Sequence, residues 1–151
     1  MQKNIIAASL VALLVIAAVV LIVYRQKTSD SGREMTQSAD SANFNMQYSD
    51  RLAGVPVTNV ESNSSTIEVT YGDAGYCRKT LGVADNSDNR SDLDEEVQQD
   101  ITGYRVTLKG KGGSYYLATW SYNSFAYTIS IDGQSGGVSL DEMTEYIKAT
   151  R

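Results

Sequence analysis

Residues 104–131 read YRVTLKGKGGSYYLATWSYNSFAYTISI, and the fold turns on how this stretch is divided. Tyr104, Val106 and Leu108 alternate with Arg105, Thr107 and Lys109, the period of two that marks a strand with one buried face. The run breaks at Gly110-Lys111-Gly112-Gly113, where glycines supply the positive φ of a hairpin loop, and resumes over Ser114 to Ser121. Tyr122-Asn123-Ser124 reads as a second turn, after which Phe125, Tyr127, Ile129 and Ile131 alternate with Ala126, Thr128, Ser130 and Asp132. Three consecutive strands on short connections predict an antiparallel meander.

Beyond Asp132-Gly133 the period becomes helical. Ser139 is placed as N-cap with Glu142 three residues on, each side chain within reach of the other's free backbone donor, and Val138 can staple against Met143. Leu140, Met143, Tyr146 and Ile147 fall on one stripe, with Asp141, Glu142 and Glu145 toward the positive end of the helix dipole and Lys148 toward the negative end. That stripe needs a surface, and the preceding sheet is the nearest.

Upstream, Ile67, Val69 and Tyr71 alternate with Thr66, Glu68 and Thr70 and end at Gly72-Asp73-Ala74-Gly75, a hairpin signal leading into Tyr76 to Leu81. Phe44, Met46 and Tyr48 alternate as an opening to the core. Ser49 to Gly54 reads as a turn or one short helical turn, and Val55-Pro56-Val57 as an edge strand, because proline cannot donate to a ladder. Asp85 to Asp100 carries seven acids and one arginine, the composition of a solvated loop. The expected fold is therefore α+β: an antiparallel sheet of about five strands with the C-terminal helix packed on one face.

The N-terminal part is of another kind. Residues 1–4 are a short tail, and Ile5 to Val23 is an apolar run whose only polar member is Ser9. At about 1.5 Å per residue it extends roughly 28 Å, close to the hydrocarbon thickness of a bilayer. It is longer than a signal-peptide core and no small-x-small cleavage site follows it, so an uncleaved single-pass anchor is expected, with a cleaved signal peptide as the competing reading. Residues 24–42 form a polar linker; Thr28 to Ala42, rich in Ser, Asp, Gln and Thr, would hold the domain near the membrane without pressing it onto the surface. Residues 43–151 suffice for one globular domain and are too few for two. Lys3 and the terminal amine at one end of the span nearly balance Arg25 and Lys27 at the other, and the count if anything leans against an exported C-terminus, so charge alone does not fix orientation. A long acidic domain can be translocated largely regardless of its charge, and the domain is placed outside the cytoplasm; the reverse topology is the alternative.

A Tyr71-Gly72 strand end, Cys77-Arg78-Lys79, the Asp-rich loop, Val106-Thr107-Leu108-Lys109-Gly110, Ala118-Thr119-Trp120, Ala126-Tyr127-Thr128-Ile129-Ser130 and Leu140-Asp141-Glu142-Met143 follow one another in an order that resembles a bacterial family, domain of unknown function four-three-six-seven. The resemblance covers the chain from about Ile67 onward. It implies a domain that follows a membrane span in anti-sigma-factor-like and other exported proteins, and it supplies no activity, ligand or site residues. Only Met1 to Asn4 precede the span here, with no segment that would bind a sigma factor, which argues against an anti-sigma role.

Most chemistry is excluded by composition. The chain has no histidine, which removes Ser-His-Asp and Cys-His nucleophiles and the commonest metal ligand. Gly133-Gln134-Ser135-Gly136-Gly137 matches the nucleophile-elbow pattern literally, but a serine without a general base is inert, and the loop reads as a strand-to-helix turn. Cys77 is the only cysteine, so no intramolecular disulfide or thiolate metal cluster can form; on a strand it reads as a small buried filler. Asp85, Ser87, Asn89 and Glu96 occupy calcium-loop positions, yet Arg90 stands where that loop needs glycine, and a plain acidic loop is the better reading. Asp94-Glu95-Glu96 shows that carboxylates are plentiful, not that two flank a substrate. Asp141 and Glu142 would repel a phosphate at the helix N-terminus. From Thr28 onward 10 Lys and Arg face 18 Asp and Glu, a net charge of −8 that disfavours nucleic acid. No metal, cofactor or catalytic residue is assigned.

What stands out is aromatic density: nine of the ten tyrosines, and Trp120, lie from Tyr48 onward. Tyr115, Trp120 and Tyr122 are the candidate partner-binding surface, for an envelope protein or a glycan; the simpler reading makes them large strand residues of a thin core. The expected function is a membrane-anchored, non-enzymatic extracytoplasmic module that binds or senses at the bacterial cell envelope. The alternatives are an envelope hydrolase acting through carboxylates or Ser135, and a membrane adaptor facing the cytoplasm.

Overall fold

The computed structural model describes residues 42–82 and 90–151. The chain divides into two compact units, Met1–Arg33 and Glu34–Arg151, and the described residues all belong to the second. The expected tail, the expected span at 5–23 and all of the expected linker but Ala42 lie outside them; no helix among the described residues is long and apolar enough to cross a membrane.

Nine strands precede the helix within the described residues: β1 (Arg51–Leu52), β2 (Val55–Pro56), β3 (Asn59–Ser62), β4 (Thr66–Thr70), β5 (Gly75–Leu81), β6 (Glu95–Ile101), β7 (Tyr104–Lys111), β8 (Ser114–Tyr122) and β9 (Phe125–Ile131). A 3-10 turn at Gly133–Ser135 then leads to helix α1 (Leu140–Ala149). The class is α+β with the helix at the C-terminal end, as the residue pattern implied. The main sheet, however, has seven strands rather than about five, in the order β3-β4-β5-β9-β8-β7-β6, with every neighbouring pair antiparallel.

The two additional strands are its edges. β6 falls inside the acidic run that reads as a loop, because an edge strand needs few apolar residues: of Glu95, Val97, Gln99 and Ile101 on its inward side, only two are apolar and only Ile101 is buried. Val55 and Pro56 do not lie at the edge of this sheet. They pair with Leu52 and Arg51 in a separate two-stranded hairpin whose turn residues, Ala53 and Gly54, both have positive φ.

The meander follows its turn chemistry. Gly112 and Gly113 both adopt positive φ between β7 and β8, and Asn123 and Ser124 do so between β8 and β9, the geometry that matches strand twist. Gly110 belongs to β7 rather than to the loop, at a register shift where Tyr116 is passed over. Ser139 accepts a hydrogen bond from the Glu142 N–H at 3.2 Å and caps α1. The Glu142 carboxylate turns elsewhere and accepts from the Tyr146 hydroxyl at 2.6 Å.

One sheet face carries the core. Ile67, Val69, Cys77, Ile129, Ile131, Ala118, Val106 and Leu108 lie in register on it, all essentially inaccessible. Two elements supply the cover. Helix α1 lies against β8 and β6, burying Met143, Tyr146 and Ile147. The segment before β1 contributes Met46 and Tyr48, and β1 itself contributes Leu52. It is fastened by a reciprocal pair of backbone bonds between Gln47 and Arg151, 2.7 and 3.0 Å, and by the Tyr71 hydroxyl donating to the Ser49 carbonyl at 2.6 Å. The opposite face is polar, with Arg78 bound to Glu68 at 2.7 Å and Lys109 to Glu96 at 3.4 Å.

Candidate binding surface

Strand register places two rows of side chains across one end of the core-bearing face. Lys79, Tyr127 and Trp120 are direct cross-strand neighbours on β5, β9 and β8 and form the inner row. Leu81, Phe125 and Tyr122 are the next set outward on the same strands, and Tyr104 on β7 extends it, its ring 5.0 Å from that of Tyr122. The two rows have different fates. Trp120 and Tyr127 are 4% exposed, stacked 5.1 Å apart and nearly parallel, whereas Leu81 and Tyr122 are 51% and 48% exposed.

The three aromatic candidates read from the sequence are thereby separated. Trp120 is core, a correction to its place on a partner surface: period-two counting puts it on one face of β8 but cannot say whether that position is covered. Tyr115 lies toward the other end of β8, where its backbone exchanges hydrogen bonds with Val138 at 2.8 and 3.0 Å and its ring packs half-buried against the core. Tyr122 remains on the surface. Its true companions are Leu81, Phe125 and Tyr104, which sequence reading left as ordinary strand residues. The signal that could have found them is register, since each stands next to a turn.

Phe44 completes the site from outside the sheet, its ring 4.8 Å from Phe125. Between them lies Lys79, whose Nζ is 4.6 Å from the Phe125 ring centre, 5.5 Å from Tyr127 and 5.6 Å from Phe44, and donates to the Asn45 carbonyl at 2.6 Å. Burial lowers the Lys79 pKa from its ordinary value, and burial likewise raises that of Tyr127. The ammonium is held by ring faces and one carbonyl, an arrangement that fixes the chain segment at Phe44-Asn45 to the sheet.

The residues weighed for chemistry are placed differently. Ser135 sits exposed in the 3-10 turn, and the Asp132 carboxylate beside it is engaged as the turn's cap, accepting from the Gln134 N–H at 2.8 Å. Cys77 is fully buried, and burial pushes its thiol up to about 12. Glu96 lies on β6 and the other calcium-register positions, Asp85, Ser87 and Asn89, fall outside the described residues. Among the described residues no three Asp, Glu or Cys converge as a metal site. A shallow hollow is lined by Gln98, Arg105, Thr107, Thr119, Trp120 and Ser121, one cation and no carboxylate. Comparison with protein-family models, with curated proteins and with solved structures found no match.

Proposed function

We propose that this chain is a membrane-anchored, non-enzymatic module of the bacterial cell envelope that binds through the aromatic end of its sheet, with the domain outside the cytoplasm. One observation carries the reading: Tyr122 and Leu81, about half exposed, stand in one row with Phe125 and Tyr104 at one end of the core-bearing face. Large amphipathic side chains ordered by strand register offer contact area at little entropic cost, which suits recognition. Anchoring rests on the apolar run at 5–23 and its length, and the resemblance to domain of unknown function four-three-six-seven belongs to the same proposal.

Three measurements test it. External protease added to intact cells should remove the domain while leaving the span; survival of the domain until lysis would reverse the orientation. Tyr122→Ala with Leu81→Ser should abolish association of the domain with its envelope target while leaving the circular dichroism unchanged, and turnover by the purified chain would overturn the non-enzymatic reading.

A further inference from the structure

The two ends of the sheet differ in charge. Beyond the exposed row the described tips Asn63-Ser64-Ser65, Thr102-Gly103 and Asn123-Ser124 carry no charge, and residues 83–89, which follow β5 at this end, lie outside the described residues. The charge nearest the exposed row is Lys79, which is buried one row in, while Asp100 with Arg105 and Glu61 with Glu68 oppose each other in register on the polar face. The other end carries Asp73 in the β4–β5 turn, Lys111 before the β7–β8 turn, Asp132 after β9, and Asp92 and Asp94 ahead of β6. Two of the three exposed large hydrophobics among the described residues, Leu81 and Tyr122, are at the uncharged end.

The polypeptide enters at that same end. Phe44, just after the first described residue, packs on Phe125, and the segment then runs the length of the face to Ser49, which accepts from Tyr71 at the charged end. A coil of the linker's length, 24–42, has a root-mean-square reach of about 25 Å. The sheet is of similar length, since the nine residues of β8 extend about 30 Å. Turning the charged end toward the bilayer would consume that reach, whereas the uncharged end lies where the chain arrives. Tethering makes the encounter intramolecular, so a weak contact is enough.

We propose that the uncharged end of the sheet, with Leu81, Phe125, Tyr122 and Tyr104 in one row and the neutral tips around it, docks onto the lipid surface of the membrane that anchors the chain. This rests on the anchored reading above and names the partner of the same surface. Tyrosine rings with one wet end suit the layer between headgroups and acyl chains, and Leu81 and Phe125 supply apolar area. The net charge of −8 from Thr28 onward argues against attraction to anionic headgroups, so the contact is apolar, weakens as anionic lipid is added and recovers with salt.

The test uses the full chain in phosphatidylcholine vesicles carrying a nitroxide quencher at the headgroup level. A fluorophore is placed at Ser64→Cys on the uncharged end or at Asp73→Cys on the charged end, both exposed, while buried Cys77 stays unlabelled. The two sites lie at opposite ends of β4, roughly 20 Å or more apart at about 3.3 Å per residue, so quenching at Ser64 should exceed that at Asp73 by about threefold. Tyr122→Ser with Leu81→Ser should bring the two to the same low level with the chain still inserted. Equal quenching at both sites in chains that float with the vesicles after an alkaline wash overturns the docking and leaves the anchor standing. Release of the chain by that wash overturns the anchor and the docking with it. Protection of Ser64 that appears only when envelope protein or glycan is added assigns the surface to that partner and overturns the lipid assignment.

Discussion

Lys79 brings an ammonium group into an apolar face, and its neighbours decide what its replacement costs. Three rings and a carbonyl surround it, so most of its contribution is packing of the butyl stem. Lys79→Met, similar in volume, should lose less than about 1 kcal/mol in urea denaturation, while Lys79→Ala should lose about 2–4 kcal/mol by leaving a cavity among the rings. Trp120 and Tyr122, two positions apart on one strand, should diverge in the same assay. Trp120→Ala should cost about 3–5 kcal/mol as a buried ring is removed, and Tyr122→Ala should stay within about 1 kcal/mol. Both are aromatic and fall in the same period, so their roles were not legible in the sequence: what separates them is one row of register. Cys77 gives the domain an alkaline limit. Its unfolded thiol ionises near 9.0 and the folded one near about 12 because burial disfavours the thiolate. Between those values the folded state holds the extra proton, so stability falls as pH rises, by up to about 1.4 kcal/mol per pH unit for one group. Tyr71 and Tyr146, whose pKa values burial also raises, push the same way above 10.0. Thermal melts should therefore decline from about pH 9 upward, and Cys77→Ala should delay the onset toward pH 10.

At the scale of elements, local chemistry made the meander and the helix readable. Alternation, paired turn residues and a serine cap each point to one structure, and each is realised within a residue or two. Ser139→Ala should cost about 1 kcal/mol by freeing the Glu142 N–H, seen as a lower melting temperature with an unchanged denaturant slope. The edge strands were not readable, for a reason that is physical. β3 and β6 each bury little, so selection for a buried face leaves almost no periodic trace in Asn59–Ser62 or Glu95–Ile101. β6 exists because β7 offers it a ladder, not because its own residues favour extension. Gly75 shows the opposite case, an element fixed by a single position. A Cβ there would overlap the Ser130 carbonyl across the β5–β9 pair, and its φ of 135° suits no other residue. Gly75→Ala should break the joint between the two halves of the sheet, with loss of amide protection in β5 and β9 by hydrogen exchange.

For the molecule as a whole, one side of the sheet carries the core cluster, and the cover over it comes from both ends of the domain. Alternation at Phe44, Met46 and Tyr48 showed that these residues join the core, but not that they lie across the sheet as an irregular strap; no period distinguishes a strap from a strand. Its partners are remote in sequence, Arg151 for Gln47, Tyr71 for Ser49 and Lys79 for Asn45, which is why only the folded chain reveals it. The strap makes the domain's boundary a sharp one. A soluble chain beginning at Ala42 retains every one of these bonds, whereas one beginning at Arg51 loses buried Met46 and Tyr48 and strips partners from the Tyr71 hydroxyl and the Lys79 ammonium. Two large apolar truncations at about 2–5 kcal/mol each, with two polar groups left in an apolar face at about 1–3 kcal/mol each, together match or exceed the 5–15 kcal/mol that holds a typical domain folded. The chain from Ala42 should give a cooperative melt and dispersed amide resonances. The chain from Arg51 should give neither, and a cooperative melt from it would show that helix α1 and the sheet alone suffice.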